Sequence, residues 1–321
     1  MTEIVGVDLT DDVQFARFHA VYASCYDRPF DQPWAAPEKR VNLTDDAYGR
    51  HELVVALRDG QPIAGGYVSM PLQDNVDIAF VEVFVLPEHR GRGYGTALLD
   101  HLVDVARRAG RTRLHGEALW SVDHDGDPGS RFADAKGFTV DILDAVRELP
   151  LPVTNLPPPE PRGGHRLVAW RVCPEEWLEQ YARLRHLLLQ EAPSGPAGLE
   201  NEHWDAERIR HEEASWQGQG RIAQTVVAIS PEDRLAGHTQ LVAAADGIEV
   251  YQWDTLVLPE HRGHGLGLAM KLRAMQAAED LLRGRRRITT WNAANNAHMI
   301  AVNQQLGFRQ TAWAAEYVRQ I

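Results

Sequence analysis

The stretch "LPEHRGRGYG" runs from Leu86 to Gly95, and "LPEHRGHGLG" runs from Leu258 to Gly267, 172 residues later. Each copy follows an apolar run, "FVEVFV" or "DTLV", and opens a segment with helical periodicity, "TALLDHLVDVARRAG" or "LAMKLRAMQAAEDLL". The turn therefore joins a strand to a helix. Sliding the second half back by 172 places Gly237 on Gly65, Asp254 on Glu82 and Pro259 on Pro87; "KGF" (136–138) answers "LGF" (306–308) at an offset of 170. One architecture is written twice.

The two copies flank "LPLPVTNLPPPEPRGG", Leu149 to Gly164, where six prolines forbid helix and favour extended chain. The expected division is 1–148, a proline-rich linker at 149–164, and 165–321. Within each half, strand candidates precede the turn ("HELVVAL", "QPIAGGYVSM" and "VDIAFVEVFVL"; "RIAQTVVAI", "RLAGHTQLVAA" and "IEVYQWDTLVL"), and a strand, a short helix and a last strand follow it. The order predicts an α/β (α+β) class, with a mixed, mostly antiparallel sheet flanked by helices in each half.

A length of 321 residues and 44% hydrophobic composition allow each half its own core. The formal charge of −12 is concentrated in residues 1–150, which carry −10, against −2 in residues 165–321. That acidity disfavours nucleic acid and suits amine-bearing ligands. No apolar run reaches the roughly 18 residues of a membrane span, and the N-terminus lacks a basic segment followed by an apolar one, so the expectation is a cytoplasmic protein without a membrane partner. The two cysteines, Cys25 and Cys173, have no neighbours at metal-ligand spacing, and no metal is expected.

Glycine-rich turns at helix starts bind phosphates in several ways. A P-loop is excluded because neither turn contains lysine, and Gly95 and Gly267 are followed by Thr96 and Leu268. A dinucleotide fingerprint is excluded because the spacing is G-x-G-x-G, after several strands rather than at the first. What fits is Arg90-x-x-Gly93-x-Gly95 and Arg262-x-x-Gly265-x-Gly267. Glycines let successive main-chain N–H groups line one concavity at a helix N-terminus, a place suited to a pyrophosphate.

These residues resemble the GNAT (Gcn5-related N-acetyltransferase) family, whose R/Q-x-x-G-x-G/A motif holds the pyrophosphate of acetyl-CoA. The resemblance covers both halves outside the linker and extends to "NAHMIAVNQQLGF" (296–308), which is similar to a late helix of the family. The layout looks like that of tandem GNAT proteins, the group that includes mycothiol synthases. The resemblance implies two tandem GNAT folds and direct acetyl transfer from acetyl-CoA to an amine of a small molecule. It places carrier contacts at Val83, Phe84, Val85, Arg90, Gly91, Arg92, Gly93, Tyr94, Gly95 and Thr96. In the second half they fall at Thr255, Leu256, Val257, Arg262, Gly263, His264, Gly265, Leu266, Gly267, Leu268 and Asn296. Base candidates are the matched carboxylates Glu82 and Asp254.

The family's acid tyrosine falls on Ala133 and Asn303, neither of them an acid, though Asn303 can hydrogen-bond a sulfur. The motif asparagine, Asn296, falls on Gly126 in the first half. The second half is therefore the expected catalytic one, with Trp204, Trp216, Tyr251, Trp253 and Trp291 as candidate pocket walls and His238 as a rim or structural residue. The remaining alternatives are a non-catalytic acyl-CoA-binding sensor and a protein-lysine acetyltransferase. A tandem chain can stand as a monomer, its halves mimicking a dimer, or form a homodimer.

Overall fold

The computed structural model describes residues 2–26, 28–123, 127–154, 156–191, 195–244 and 247–321, with the side chains of Thr2 and Leu189 excepted. The chain forms two compact units: residues up to Ile142 together with Ala314–Ile321, and Leu143–Trp313. The unit borders thus fall inside the last strand of each half rather than in the proline-rich stretch.

The first unit runs β1 (Thr2–Gly6), α1 (Asp12–Tyr26), α2 (Ala36–Thr44), β2 (Gly49–Arg58), β3 (Gln61–Pro71), β4 (Ile78–Val85), α3 (Tyr94–Arg108), β5 (Arg113–Ser121) and α4 (Pro128–Ala135), with the start of β6 (Thr139–Pro150). The second holds the rest of β6, then β7 (Arg166–Trp170), α5 (Leu178–Glu191), α6 (Ala206–Gly218), β8 (Arg221–Ile229), β9 (Leu235–Ala244), β10 (Glu249–Val257), α7 (Leu266–Ala277), α8 (Glu279–Leu282), β11 (Arg287–Ala293) and α9 (Ala297–Gln305). β12 (Arg309–Gln320) begins in the second unit and closes the sheet of the first. The strand orders are β1-β2-β3-β4-β5-β12 and β6-β11-β10-β9-β8-β7; β4 with β5 and β10 with β11 run parallel, while β1–β2, β2–β3, β3–β4, β6–β11, β9–β10, β8–β9 and β7–β8 are antiparallel.

Both faces of each sheet are buried, because successive side chains on a strand point to opposite sides. Val54 and Ala56 of β2 join α3 in one core while Val55 and Leu57 join α1 in another. At the same 172-residue offset, Val226 and Ala228 pack with α7, and Val227 and Ile229 pack with α5 and α6. The repeat therefore holds at the level of individual core positions. α3 has an apolar stripe of Leu98, Leu102 and Ala106, all 0% exposed. Pro150 stands at the end of β6, opposite Arg287, and Leu149, Leu151, Val153 and Leu156 pack against the second unit's core. The proline-rich stretch is extended, as its composition requires, and partly incorporated into that core. The helix read as continuous from 268 to 282 is interrupted at Ala278, the C-cap of α7.

Candidate active site

In both units the parallel pair separates after three residues. β4 and β5 pair only over Ile78↔Arg113, Ala79↔Leu114 and Phe80↔His115; β10 and β11 pair only over Glu249↔Arg287, Val250↔Ile288 and Tyr251↔Thr289. Beyond these positions Val83–Val85 and Thr255–Val257 form one side of a wedge, with main-chain groups released from the ladder on that side. The side chains of Phe84 and Leu256 turn away into cores, at 4% exposure each. The backbone is what these segments offer a ligand.

The glycine turn closes the end of each wedge. Gly91 and Gly93 have φ of 72° and 87°, and Gly263 and Gly265 have 81° and 73°, values that glycine adopts without steric cost. Gly93 and Gly265 are the N-caps of α3 and α7, and no side chain caps either helix. The first helical backbone bonds are donated by Ala97 to Gly93 and by Ala269 to Gly265, each at 3.0 Å. The N–H groups of Tyr94, Gly95 and Thr96, and of Leu266, Gly267 and Leu268, therefore precede the helical ladder. A Cβ added at Gly91, Gly93 or Gly263 would meet nothing within 4 Å, so the turns are open concavities rather than packed connections. This geometry fits a diphosphate carried by a long thioester.

The arginines of the motif brace the turns. Arg90 Nε donates to the Val85 carbonyl at 3.0 Å and Arg262 Nε to the Val257 carbonyl at 3.2 Å, and Arg262 Nη2 also pairs with Glu191 at 2.6 Å. Arg92 is exposed, while Tyr94 packs its ring near His89. In the second unit another basic group, one that motif reasoning overlooked, reaches the concavity. Arg162 N donates to the His264 carbonyl at 3.0 Å, and the Arg162 guanidinium lies 3.6 Å from where a Gly265 Cβ would be. The approach is close because residue 163 is glycine: a Cβ there would stand 2.4 Å from the His264 ring. His165 packs beside it, 5.0 Å from His264 and 5.2 Å from His261. Its signal in the sequence was the "RGGH" ending the proline-rich stretch.

The two carboxylates have different surroundings. Asp254 lies on a β-bulge: Gln252 pairs with Leu241 and Thr255 with Thr239, so two residues of β10 oppose one of β9. β3 and β4 pair without interruption from Ala64↔Val85 to Ser69↔Phe80, and Glu82 sits opposite Tyr67 in that ladder. The Asp254 side chain is 27% exposed, with Arg185 Nε 3.6 Å from Oδ2. Arg185 is buried, stacked 4.0 Å over Trp204 and paired with Glu212 through two bonds of 2.7 and 2.9 Å. Burial pushes the Glu212 carboxyl up against the pull of Arg185. Burial opposes the charge of Arg185, but Glu212, Tyr181 and Asp254 outweigh it and hold the guanidinium ionised. Glu82 accepts a hydrogen bond from the Tyr67 hydroxyl, and Lys39 Nζ lies 4.0 Å away.

Other expected positions fall elsewhere. Asn303 is 0% exposed, and its Nδ2 donates to Asn292 Oδ1 at 2.7 Å. It ties α9 to β11 and has no open face toward a leaving sulfur. Asn296 is the N-cap of α9, accepting from Met299 N at 3.1 Å; its counterpart Gly126 lies outside the described residues, and Asp127 caps α4 instead. The five aromatics do not form one wall. Trp216 meets Trp253, Tyr251 meets Trp291, and Trp204 stacks on arginines. His238 is 0% exposed, away from any rim, with burial pushing its imidazole down to about 3 and both ring nitrogens unpartnered. Cys173 is buried, its thiol pushed up to about 12 by burial, and Cys25 is pushed up by burial too, so neither is a ready nucleophile.

Two wedges of this kind, each ending in an open glycine turn at a helix start, define a tandem acyltransferase fold. Residues 16–131 and 181–308 match the model of the acetyltransferase (GNAT) family, and the chain belongs to that family. A tandem GNAT protein from the clavulanic acid biosynthesis pathway is similar over 100% of this chain and 98% of its own, at 24% identity and a TM-score of 0.84. A GCN5-related N-acetyltransferase from Sphaerobacter thermophilus is similar over 99% and 95%, at 17% identity and a TM-score of 0.68. These two likenesses speak for the fold. A mycothiol acetyltransferase of Acidothermus cellulolyticus is 37% identical over 67 residues, which span 20% of each chain. Among the described residues, no helix is long and apolar enough to cross a membrane.

Proposed function

We propose that the protein transfers an acetyl group from acetyl-CoA directly to a primary amine of a small molecule, and that the second unit carries the reaction. The observation on which this rests is the open, uncapped turn at the end of the β10–β11 wedge, beside an accessible carboxylate on a bulge. The carrier, when bound, supplies an activated acyl thioester. Gly263, Gly265 and the N–H groups of residues 266–268 would hold its diphosphate, with Arg162 alongside. The main chain of Thr255–Val257 would pair with its extended arm and polarise the carbonyl. Asp254, a quarter exposed, would take the proton of the incoming ammonium directly or through one water. Arg185 would keep that carboxylate in place, since its own charge is fixed by Glu212. No acid is assigned to the departing thiolate; a thiol with pKa of ~8.5 leaves without one. The acidic surface suits a cationic acceptor. In the first unit the turn would bind the same carrier.

Free thiol released by the protein with acetyl-CoA and a panel of amines tests this. Thiol release should fall by about 10²–10⁴-fold in Asp254→Ala and persist in Glu82→Ala. The reverse pattern would move the reaction to the first unit. Carrier binding without thiol release for any amine would make the chain a binding module.

A further inference from the structure

The chain contains three lysines, Lys39, Lys136 and Lys271, against thirty arginines. Lys39, on α2, is only 5% exposed. Its ammonium lies 4.4 Å from the ring centroid of Tyr67, 4.7 Å from that of Tyr22 and 5.3 Å from that of Trp34, so aromatic faces surround it on several sides. Nζ donates to the Tyr67 hydroxyl at 2.9 Å and stands 4.0 Å from Glu82 Oε2. The Tyr67 hydroxyl donates to that carboxylate. Aromatic faces plus one anion are the chemistry by which proteins select organic ammonium ions. Glu82 also holds, in the first unit, the position that Asp254 holds in the second.

We propose that the first unit contains a binding box for a primary alkylammonium, and that the chain fills this box with its own Lys39. The calling of this place an acceptor position rests on the functional reading above; the ammonium selectivity does not. The box is formed by α1, the segment before α2, β3 and β4, and α2 carries the lysine that fills it. An external amine enters this box only by displacing a side chain tethered to the same fold, which competes at a high effective concentration. The space among the rings is thereby closed to external amines, although Glu82 itself is 26% exposed. The second unit differs in kind, because the cation beside Asp254 is a guanidinium held by Glu212, outside the class of alkylammonium acceptors.

The experiment uses the full chain without any CoA compound, so its result is separate from the fate of the catalytic reading. Lys39→Ala removes the ammonium and its stem. Added n-butylammonium should raise the thermal midpoint of Lys39→Ala in a saturable way, n-butanol should not, and wild type should respond to neither. Adding Trp34→Ala to Lys39→Ala should abolish the response. If Lys39→Ala fails to fold alone, the yield of refolding with n-butylammonium against n-butanol reads the same difference. Lys39→Met, which refills the space with an apolar chain, should fold and ignore n-butylammonium. Equal effects of the amine and the alcohol, an equal response of wild type, or no response at all would overturn the proposal.

Discussion

Lys271 is a leucine site occupied by a lysine. At the 172-residue offset its counterpart is Leu99 of α3, and both are 1% exposed. Burial alone pushes the Lys271 ammonium from its ordinary 10.5 down to about 7. A displacement of about 3.5 pH units at ~1.4 kcal/mol per unit amounts to about 5 kcal/mol against the folded state when the residue is charged. The sign follows from proton binding. Between pH 7 and 10.5 the unfolded chain holds the proton and the folded chain does not, so stability rises with pH across this window. The penalty is complete below the folded value and absent above the unfolded one.

Lys271→Met keeps an unbranched side chain of similar length and cannot ionise. Its stability gain over wild type should be about 3–5 kcal/mol at neutral pH, and should shrink by up to ~1.4 kcal/mol per pH unit as the solution becomes alkaline. Urea unfolding followed by tryptophan fluorescence suits the measurement, because seven of the nine tryptophans lie within Leu143–Trp313, the unit that contains Lys271. Taking the difference between the two proteins at each pH cancels the titration of every other group. A difference that does not vary with pH, or a variant less stable than wild type at pH 7, would refute the burial argument.

Gly93→Ala and Gly265→Ala would each force a side chain into the left-handed region, at φ of 87° and 73°, and each should remove acetyl-CoA binding from its own unit. Calorimetry should then count one bound carrier per chain, against the two expected for wild type. Arg162→Ala should weaken carrier affinity at the second unit and leave the first unchanged, because Arg162 borders only the Gly265 turn. The His238 imidazole, pushed down to about 3 by burial, stays neutral in the folded chain and becomes charged on unfolding below its ordinary 6.5. Stability should therefore fall with pH below that value, by up to ~1.4 kcal/mol per unit. His238→Leu should flatten this acid limb in denaturant titrations.

The fold was legible because its information is local and repeated. β8 has the bounds of "RIAQTVVAI", and the turns sit where glycine spacing places them, since positive φ at a helix start leaves a mark on single residues. What stayed hidden depends on pairs of residues far apart in the chain. Lys39 is an ordinary helix residue in sequence; its meaning comes from rings on α1 and β3 and in the segment before α2. The contact between Arg185 and Asp254 spans two elements and turns an apparently free carboxylate into a partnered one. The cluster of tryptophans read as one wall separates because alternate residues of a strand face opposite ways: Tyr251 and Trp253 share a face of β10 only until the bulge after Gln252 changes the alternation.

That bulge is where the duplicated halves part. At equal offset Gly65 pairs with Phe84, while Gly237 pairs with Val257, the counterpart of Val85, so β10 has slid by one residue relative to β4. The unbulged β4 holds Glu82 opposite Tyr67, hydrogen-bonded to its hydroxyl and close to an internal lysine. The bulge in β10 leaves Asp254 out of the regular ladder, with its side chain 27% exposed against 26% for Glu82, and with Arg185 as its partner. The two sites thus differ in what holds the carboxylate, a tyrosine hydroxyl and a lysine beside Glu82 and a guanidinium beside Asp254, and they differ in strand pairing by a one-residue change of register with no residue inserted.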